Sequence, residues 1–284
     1  MKKLIFLPFF IFILKAEAQK SVIFKPKFLP GHNYDLSIIT KYTMRLDSTL
    51  NMPDVADESG TEMLRVMTSE NEFDYTIKTG KISKQKEMPL SLYYANVVSK
   101  QLINGKEPTV KSKTNIWLNK TVYGVYNDSG IFKLDSVSKK EVTEDSKNSI
   151  TKFVNSLTGK INFPERGLKP GDSFVHNTPI NVTAGSKAIP VEFKVNYKLT
   201  DIKDDIAYFE YDEMPDTTSI SFPKDGTLDP GAYGSGKLEY SIKYNYITLN
   251  SSDLTYSYKI QTEAGSFHNT VKISSYNRAK ISAE

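Results

Sequence analysis

The chain has 284 residues, with 37 lysines and arginines against 33 aspartates and glutamates, a formal charge of +4. That length builds one large β domain or two small ones with an ample core, and so slight a charge gives no argument for nucleic acid or an acidic partner. There is no cysteine, which excludes a disulfide framework, a thiol nucleophile and a lipid-modified N-terminal cysteine.

The first residues read as a cleavable signal peptide, residues 1–18. Lys2 and Lys3 form the basic start, Leu4 to Leu14 the apolar core, and Ala16-Glu17-Ala18 the cleavage site. The core is too short to cross a bilayer, which takes about 20 apolar residues as a helix. Cleavage removes Lys2, Lys3, Lys15 and Glu17 and leaves the mature chain close to neutral. The expectation is an exported protein, periplasmic or secreted, not lipid-anchored, with no transmembrane span in the mature chain.

Tyr34 to Leu46 alternates apolar and polar residues and predicts a strand with one buried face. Ser48 to Gly60 is polar and acidic, contains Pro53, and reads as a loop. Glu62 to Ser69 and Phe73 to Lys81 suggest a hairpin around Glu70-Asn71. Met88 to Ile103 fits a helix face and a strand alike; the turn dipeptide Asn104-Gly105 and the Tyr and Val content favour strand. Thr114 to Tyr126 and Gly130 to Val137 predict a further hairpin. Asp145 to Gly159 predicts a helix, capped by Asp145 or Ser146, with Ile150, Phe153, Val154 and Leu157 on one stripe and Gly159 as its stop. Val191 to Thr200 and Ile206 to Tyr211 flank a turn at Lys203-Asp204-Asp205. Leu238 to Tyr246, Leu254 to Ile260 and Val271 to Ile281 alternate again, joined by connections short enough to demand up-and-down antiparallel order.

One motif occurs twice. Phe24-Lys25-Pro26-Lys27-Phe28-Leu29-Pro30-Gly31 and Phe163-Pro164-Glu165-Arg166-Gly167-Leu168-Lys169-Pro170-Gly171 each lead through a Pro-Gly turn to a strand. It divides the mature chain into an N-terminal β half with the helix, 19–160, and a C-terminal antiparallel β half, 161–284, read as one continuous domain of two similar halves. Arg65–Tyr75 and Lys198–Tyr208 echo each other as strand, acidic turn, strand, which fits duplication or simply two hairpins.

In this order of elements the chain is similar to a family of uncharacterised exported β-rich proteins of Gram-negative bacteria. The likeness rests on Leu29-Pro30-Gly31, on Val122 to Gly130, on Leu134-Asp135-Ser136-Val137, on Phe163-Pro164 and on Lys169-Pro170-Gly171-Asp172-Ser173-Phe174. These motifs are turns, so the resemblance implies a fold and a compartment and no chemistry. In outline the pattern also resembles the half-barrel lipoprotein carriers.

Reactive chemistry is not visible. His32, His176 and His268 are scattered, and no nucleophile elbow, phosphate loop or metal-ligand spacing occurs. Gly231 to Gly236 is glycine-rich but lacks the lysine and helix of a phosphate loop, and reads as a flexible loop. Asp135 and Asp172, each followed by serine, read as side chains capping their own turns, with an acid or a calcium ligand as the alternative. Asp54, Asp57 and Glu58 form an acidic loop without a ligand spacing. The composition signal is aromatic, with 17 tyrosines and 15 phenylalanines. Tyrosine joins apolar area to a polar tip, which suits a wet concavity, and it is also simply favoured in strands.

The fold expectation is mainly β (α+β): a long-stranded twisted antiparallel sheet or half-barrel, with one amphipathic helix near 145–159 packed on a face. The function expectation is a non-enzymatic binding protein for an apolar or amphipathic ligand, a lipid among the candidates. Phe153, Leu157, Tyr240, Tyr244, Tyr246, Tyr256 and Tyr258 are its expected lining. No catalytic residue, metal or cofactor is expected. The alternative is a structural or interaction protein that docks onto an envelope protein partner.

Overall fold

A computed structural model describes residues 21–48, 64–107, 118–127, 129–138, 143–159, 161–184, 187–216, 226–228, 231–262 and 265–284. The expected signal peptide, most of the loop expected at 48–60 with Asp54, Asp57 and Glu58, and the start of the strand expected from Thr114 lie outside the described residues.

The chain is mainly β with one helix. The strands are β1 (His32–Ser48), β2 (Leu64–Thr79), β3 (Met88–Ile103), β4 (Thr121–Tyr126) and β5 (Phe132–Val137), followed by α1 (Glu144–Gly159). Then come β6 (Ser173–Ala184), β7 (Lys187–Lys203), β8 (Ile206–Pro215), β9 (Gly226–Leu228), β10 (Tyr233–Ser241), β11 (Tyr246–Thr262) and β12 (Gly265–Ala283). All pairings are antiparallel, in the order β5-β4-β3-β2-β1-β12-β11-β10-β8-β7-β6, with β9 beside the far end of β11. The sheet is open: its edges are β5 and β6. The first and last strands pair along their whole length, from His32↔Ala283 to Ser48↔Phe267.

Between the two edge strands the chain must cross the molecule, and it does so over the inner face. The helix closes on β4 and β5, where Tyr126 Oη and Thr158 Oγ1 lie 2.9 Å apart and the Phe132 N–H donates to Asn155 Oδ1 at 2.7 Å. Ile150 and Val154 are buried in a core with Tyr34, Tyr75, Leu92 and Phe132. Residues 161–171 continue across a second core of Leu199, Phe209, Leu238 and Tyr240. A third core, at the opposite end of the sheet, holds Val191, Phe193, Leu254, Tyr256, Tyr258 and Val271.

The two copies of the Pro-Gly motif meet. Val22 and Leu168 exchange backbone hydrogen bonds of 2.8 Å, and the Phe24 and Phe163 rings stack at 5.3 Å. Gly31 at φ 67° and Gly171 at φ 95° adopt the left-handed turn that glycine tolerates, and each opens a strand. Asp172 caps its own turn: its Oδ2 accepts from the Lys169 N–H at 3.0 Å, and the carboxyl is held below its ordinary range by that bond first and by Arg166 next.

Four expectations need correction. The hairpin at Glu70-Asn71 does not form; β2 runs through it in unbroken register with β1. Glu70 faces Lys41 at 3.6 Å, and Asn71 Oδ1 accepts from the Ser99 hydroxyl at 2.7 Å, so the polar residues are satisfied across strands and need no turn. The echo at Lys198–Tyr208 does turn, through Asp204 and Asp205 at φ 51° and 61°, so the two stretches differ. Leu238 to Tyr246 is not one strand: the chain turns at 242–245, with Asn245 at φ 48° and the Ser241 hydroxyl accepting from the Tyr244 N–H at 3.3 Å. The helix cap is Thr143, whose carbonyl accepts from the Lys147 N–H at 3.0 Å and whose hydroxyl accepts from the Ser146 N–H at 3.4 Å; Asp145 sits in the first turn instead.

Candidate functional site

The inner face is set by strand phase. On β12 the inward residues are Val271, Ile273, Ser275, Asn277 and Ala279; on β11 they are Asn250, Ser252, Leu254, Tyr256 and Tyr258. Alternate residues of a strand share a face, so the directly paired residues Asn250↔Asn277 and Ser252↔Ser275 form a compact polar square on the inner face. Leu36 and Ile38 continue the inner face on β1, Val195, Tyr197, Tyr211 and Glu213 on β7 and β8.

Of these residues, Leu36, Ile38, Val195, Tyr197, Tyr211, Glu213, Leu254, Ile273 and Ala279 with the polar square line a partly open cavity of about 430 Å³, with Leu157 of α1 and Ile161 beyond it on the other side. Leu36 and Ile38 of β1 and Thr178 of β6 line the same cavity. Those strands lie six steps apart in the sheet order. On a flat sheet that would be about 29 Å at ~4.8 Å per step, so the sheet is strongly curled around the cavity.

Two glycines shape the wall. Gly236 pairs directly with Tyr211, and a side-chain carbon there would fall on the Tyr211 ring and on the Ser251 carbonyl. The glycine lets the ring lie across β10, so that the Tyr211 hydroxyl donates to Asn250 Oδ1 at 2.8 Å and approaches the Ser251 carbonyl at 3.1 Å. Gly234 pairs with Glu213, and a Cβ on it would come within 3.1 Å of Glu213 Cβ and 3.0 Å of Leu254 Cδ1. The glycine-rich stretch expected as a flexible loop is therefore, from Tyr233 on, a strand with its neighbours folded over it.

The electrostatics of the cavity centre on Glu213. Burial pushes its carboxyl above the ordinary value of 4.5, and burial first, Glu213 next, raises the Tyr211 phenol. Over the pH range between the unfolded and native values, the native protein keeps a proton that the unfolded chain has released. Stability therefore falls as pH rises from 4.5 through the raised native value. Glu213→Gln has no such proton. Its urea midpoint should keep a fixed offset from wild type below about pH 4 and then rise relative to wild type toward neutral pH. An offset that stays constant across that range would place the carboxyl in water. The amide of Asn277 is the other feature: its Nδ2 reaches Ser275 Oγ at 3.5 Å, and its Oδ1 is buried with no hydrogen-bond partner.

Of the residues expected to line a site, Leu157 and Tyr246 do so. The other five lie elsewhere. Phe153 packs edge-on against Tyr75 at 5.4 Å in the first core. Tyr240 is fully buried against Phe24 and Phe163, at 5.0 and 5.7 Å, and its phenol is pushed up to about 12 by that burial. Tyr244 sits in the turn beside His32, ring to ring at 5.9 Å. Tyr256 and Tyr258 stack at 6.4 Å in the third core, where burial pushes the Tyr258 phenol up to about 12. Glu213, Asn277 and the paired Asn250, Ser252 and Ser275 were not expected. The signal was present as polar residues at in-phase positions of alternating strands: Ser275 and Asn277 between Ile273 and Ala279, and Asn250 and Ser252 ahead of Leu254.

Among the described residues, no group of three His, Asp or Glu side chains converges to hold a metal ion, and no helix is long and apolar enough to cross a membrane. No family model matches the chain, and no curated protein matches it. Among solved structures it is similar to Pseudomonas aeruginosa OpdK with vanillate, at 9% identity over 89% of this chain and 100% of that one, with a TM-score of 0.14. It is also similar to the botulinum neurotoxin serotype C1 binding domain, at 10% identity over 86% of this chain and 78% of that one, with a TM-score of 0.13. Overlaps this poor carry neither a fold nor a function across.

Proposed function

We propose that the protein is an exported, non-enzymatic binding protein that holds an apolar or amphipathic ligand inside its half-barrel. The observation that carries this reading is the cavity of about 430 Å³ between α1 and the sheet, apolar along Leu36, Ile38, Leu157, Ile161 and Ile273, and polar at the compact square and at Glu213 and Thr178. That volume lies in the range of small-molecule sites, and apolar walls with a few convergent polar groups are their usual lining. Asn277 Oδ1 is a buried acceptor in this wall without a protein donor, which an N–H or O–H group of a ligand would satisfy. Export rests on the basic, apolar and Ala-x-Ala segments of residues 1–18.

Filling the cavity tests the reading. Ser252 lies on its floor, so Ser252→Trp should abolish the fluorescence gain of an apolar dye that wild type binds, while lowering the unfolding free energy from urea titration by no more than about 1 to 3 kcal/mol, the usual cost of overpacking. If wild type binds no such dye, and native mass spectrometry of protein from the cell envelope finds no bound lipid, the reading fails.

The interaction-protein reading keeps one observation of its own. β6 is a twelve-residue edge strand, and Val175 on it is 60% exposed. Pro179 interrupts its row of donors, which weakens that edge as a template for another strand. Crosslinking in cells that recovers monomer alone counts against a docked partner.

A further inference from the structure

The chemistry of the cavity wall narrows the polar group its ligand must carry. Glu213 stands on the inward phase of β8, and among the described residues neither a hydrogen bond nor an ion pair reaches it. Its paired neighbours, Val195 and Gly234, bring no side-chain donor. The basic residue in the lining, Arg278, belongs to the opposite, exposed phase of β12, between Ser37 and Leu249. Elsewhere in the same cavity Asn277 Oδ1 is a buried acceptor without a donor. The wall therefore offers acceptors without protein donors, the buried Asn277 Oδ1 and the half-buried Glu213 carboxyl, and the second carries negative charge when ionised. Buried acceptors and unpaired carboxylates are costly unless something supplies the missing donor or counter-charge.

We infer, building on the binding reading, that the cavity takes a cationic amphiphile. Its protonated amine sits at Glu213, its further N–H or O–H donors turn toward Asn277, and its apolar chain lies along Leu36, Ile38, Leu157 and Ile273. A carboxylate or phosphate head would set like charge against Glu213, the charged side chain on the inward strand phase of the lining, with Arg278 on the opposite phase. A plain alcohol fills the same apolar space but leaves the carboxyl without a counter-charge.

Three probes of matched chain length separate these cases: dodecylamine, dodecanol and dodecanoate, each below its micelle or solubility limit, titrated calorimetrically into the mature protein at neutral pH. The amine should bind tightest, about tenfold or more ahead of the alcohol, as a charge-assisted hydrogen bond in a half-buried site allows. Dodecanoate should bind weakest. Glu213→Gln should remove the amine's advantage over dodecanol. Equal affinities for amine and carboxylate, or an amine advantage that survives Glu213→Gln, overturn the inference while the binding reading stands. If none of the three binds, both fall together.

Discussion

Alanine in place of Phe24 should lower stability by about 3 to 5 kcal/mol, the range for truncating a buried phenylalanine. Phe24 belongs to no strand or helix, yet it is only 2% exposed. Its ring meets Tyr240 at 5.0 Å and Phe209 at 5.2 Å edge-on, and stacks on Phe163 at 5.3 Å. Residues 21–30 carry Phe24 into the core of the C-terminal half and Phe28 into that of the N-terminal half, where Phe28 stacks on Tyr246 at 5.6 Å. The segment is thus a strap between the two cores, and a loss of this size is a large share of a domain's ~5 to 15 kcal/mol. Ile23, its neighbour, is 53% exposed, and Ile23→Ala should cost less than about 0.5 kcal/mol. Urea unfolding of both variants decides the matter. Equal, small losses would mean that the strap is not part of the core, and that the meeting of the two Pro-Gly motifs is incidental.

The parts of this fold that could be read from the chain are those where local chemistry and tertiary pairing agree. β1, β3, β7 and the β12 alternation all have one apolar and one polar face, and Pro30-Gly31 and Pro170-Gly171 set their turns by backbone preference alone. The helix was equally legible, because Ile150 and Val154 lie on the predicted stripe and are buried. Reading failed where a neighbour overruled a local signal. Glu70-Asn71 looks like a turn only until Lys41 and Ser99 stand opposite it. Ile242 to Asn245 continues an alternation that its own backbone breaks, since Asn245 adopts positive φ and Ser241 holds the turn. The candidate site was harder, because tyrosine count measures aromatic supply and not position. Tyr240, Tyr256 and Tyr258 went into solid core, while the cavity is marked by polar residues in apolar phase. Such a mark is visible in one strand, but that Asn250 and Ser252 face Asn277 and Ser275 depends on the β11–β12 register, which no single strand contains.

Valine at Gly236 should destabilise the protein by about 3 kcal/mol, the upper end for forcing bulk into a filled space. The cause is specific: the new Cβ would overlap the Ser251 carbonyl, which is backbone of the adjacent strand, and the Tyr211 ring, which is a side chain able to move. The two parts can be separated. Tyr211→Ala alone removes a buried ring and should itself cost stability, yet in the Gly236→Val background it also removes half of the collision. The double variant should therefore be more stable than the sum of the two single losses requires, by about 1 kcal/mol or more, the coupling expected of residues in contact. It should not recover fully, because the Ser251 carbonyl remains. Gly236→Val should also weaken dye binding beyond its effect on folding, since a displaced Tyr211 no longer donates to Asn250 and the polar square loses one of its fixed members. Strict additivity in urea unfolding would show that ring and glycine do not touch. With that contact gone, the glycine would no longer be the reason Tyr211 reaches across β10 to form the cavity wall.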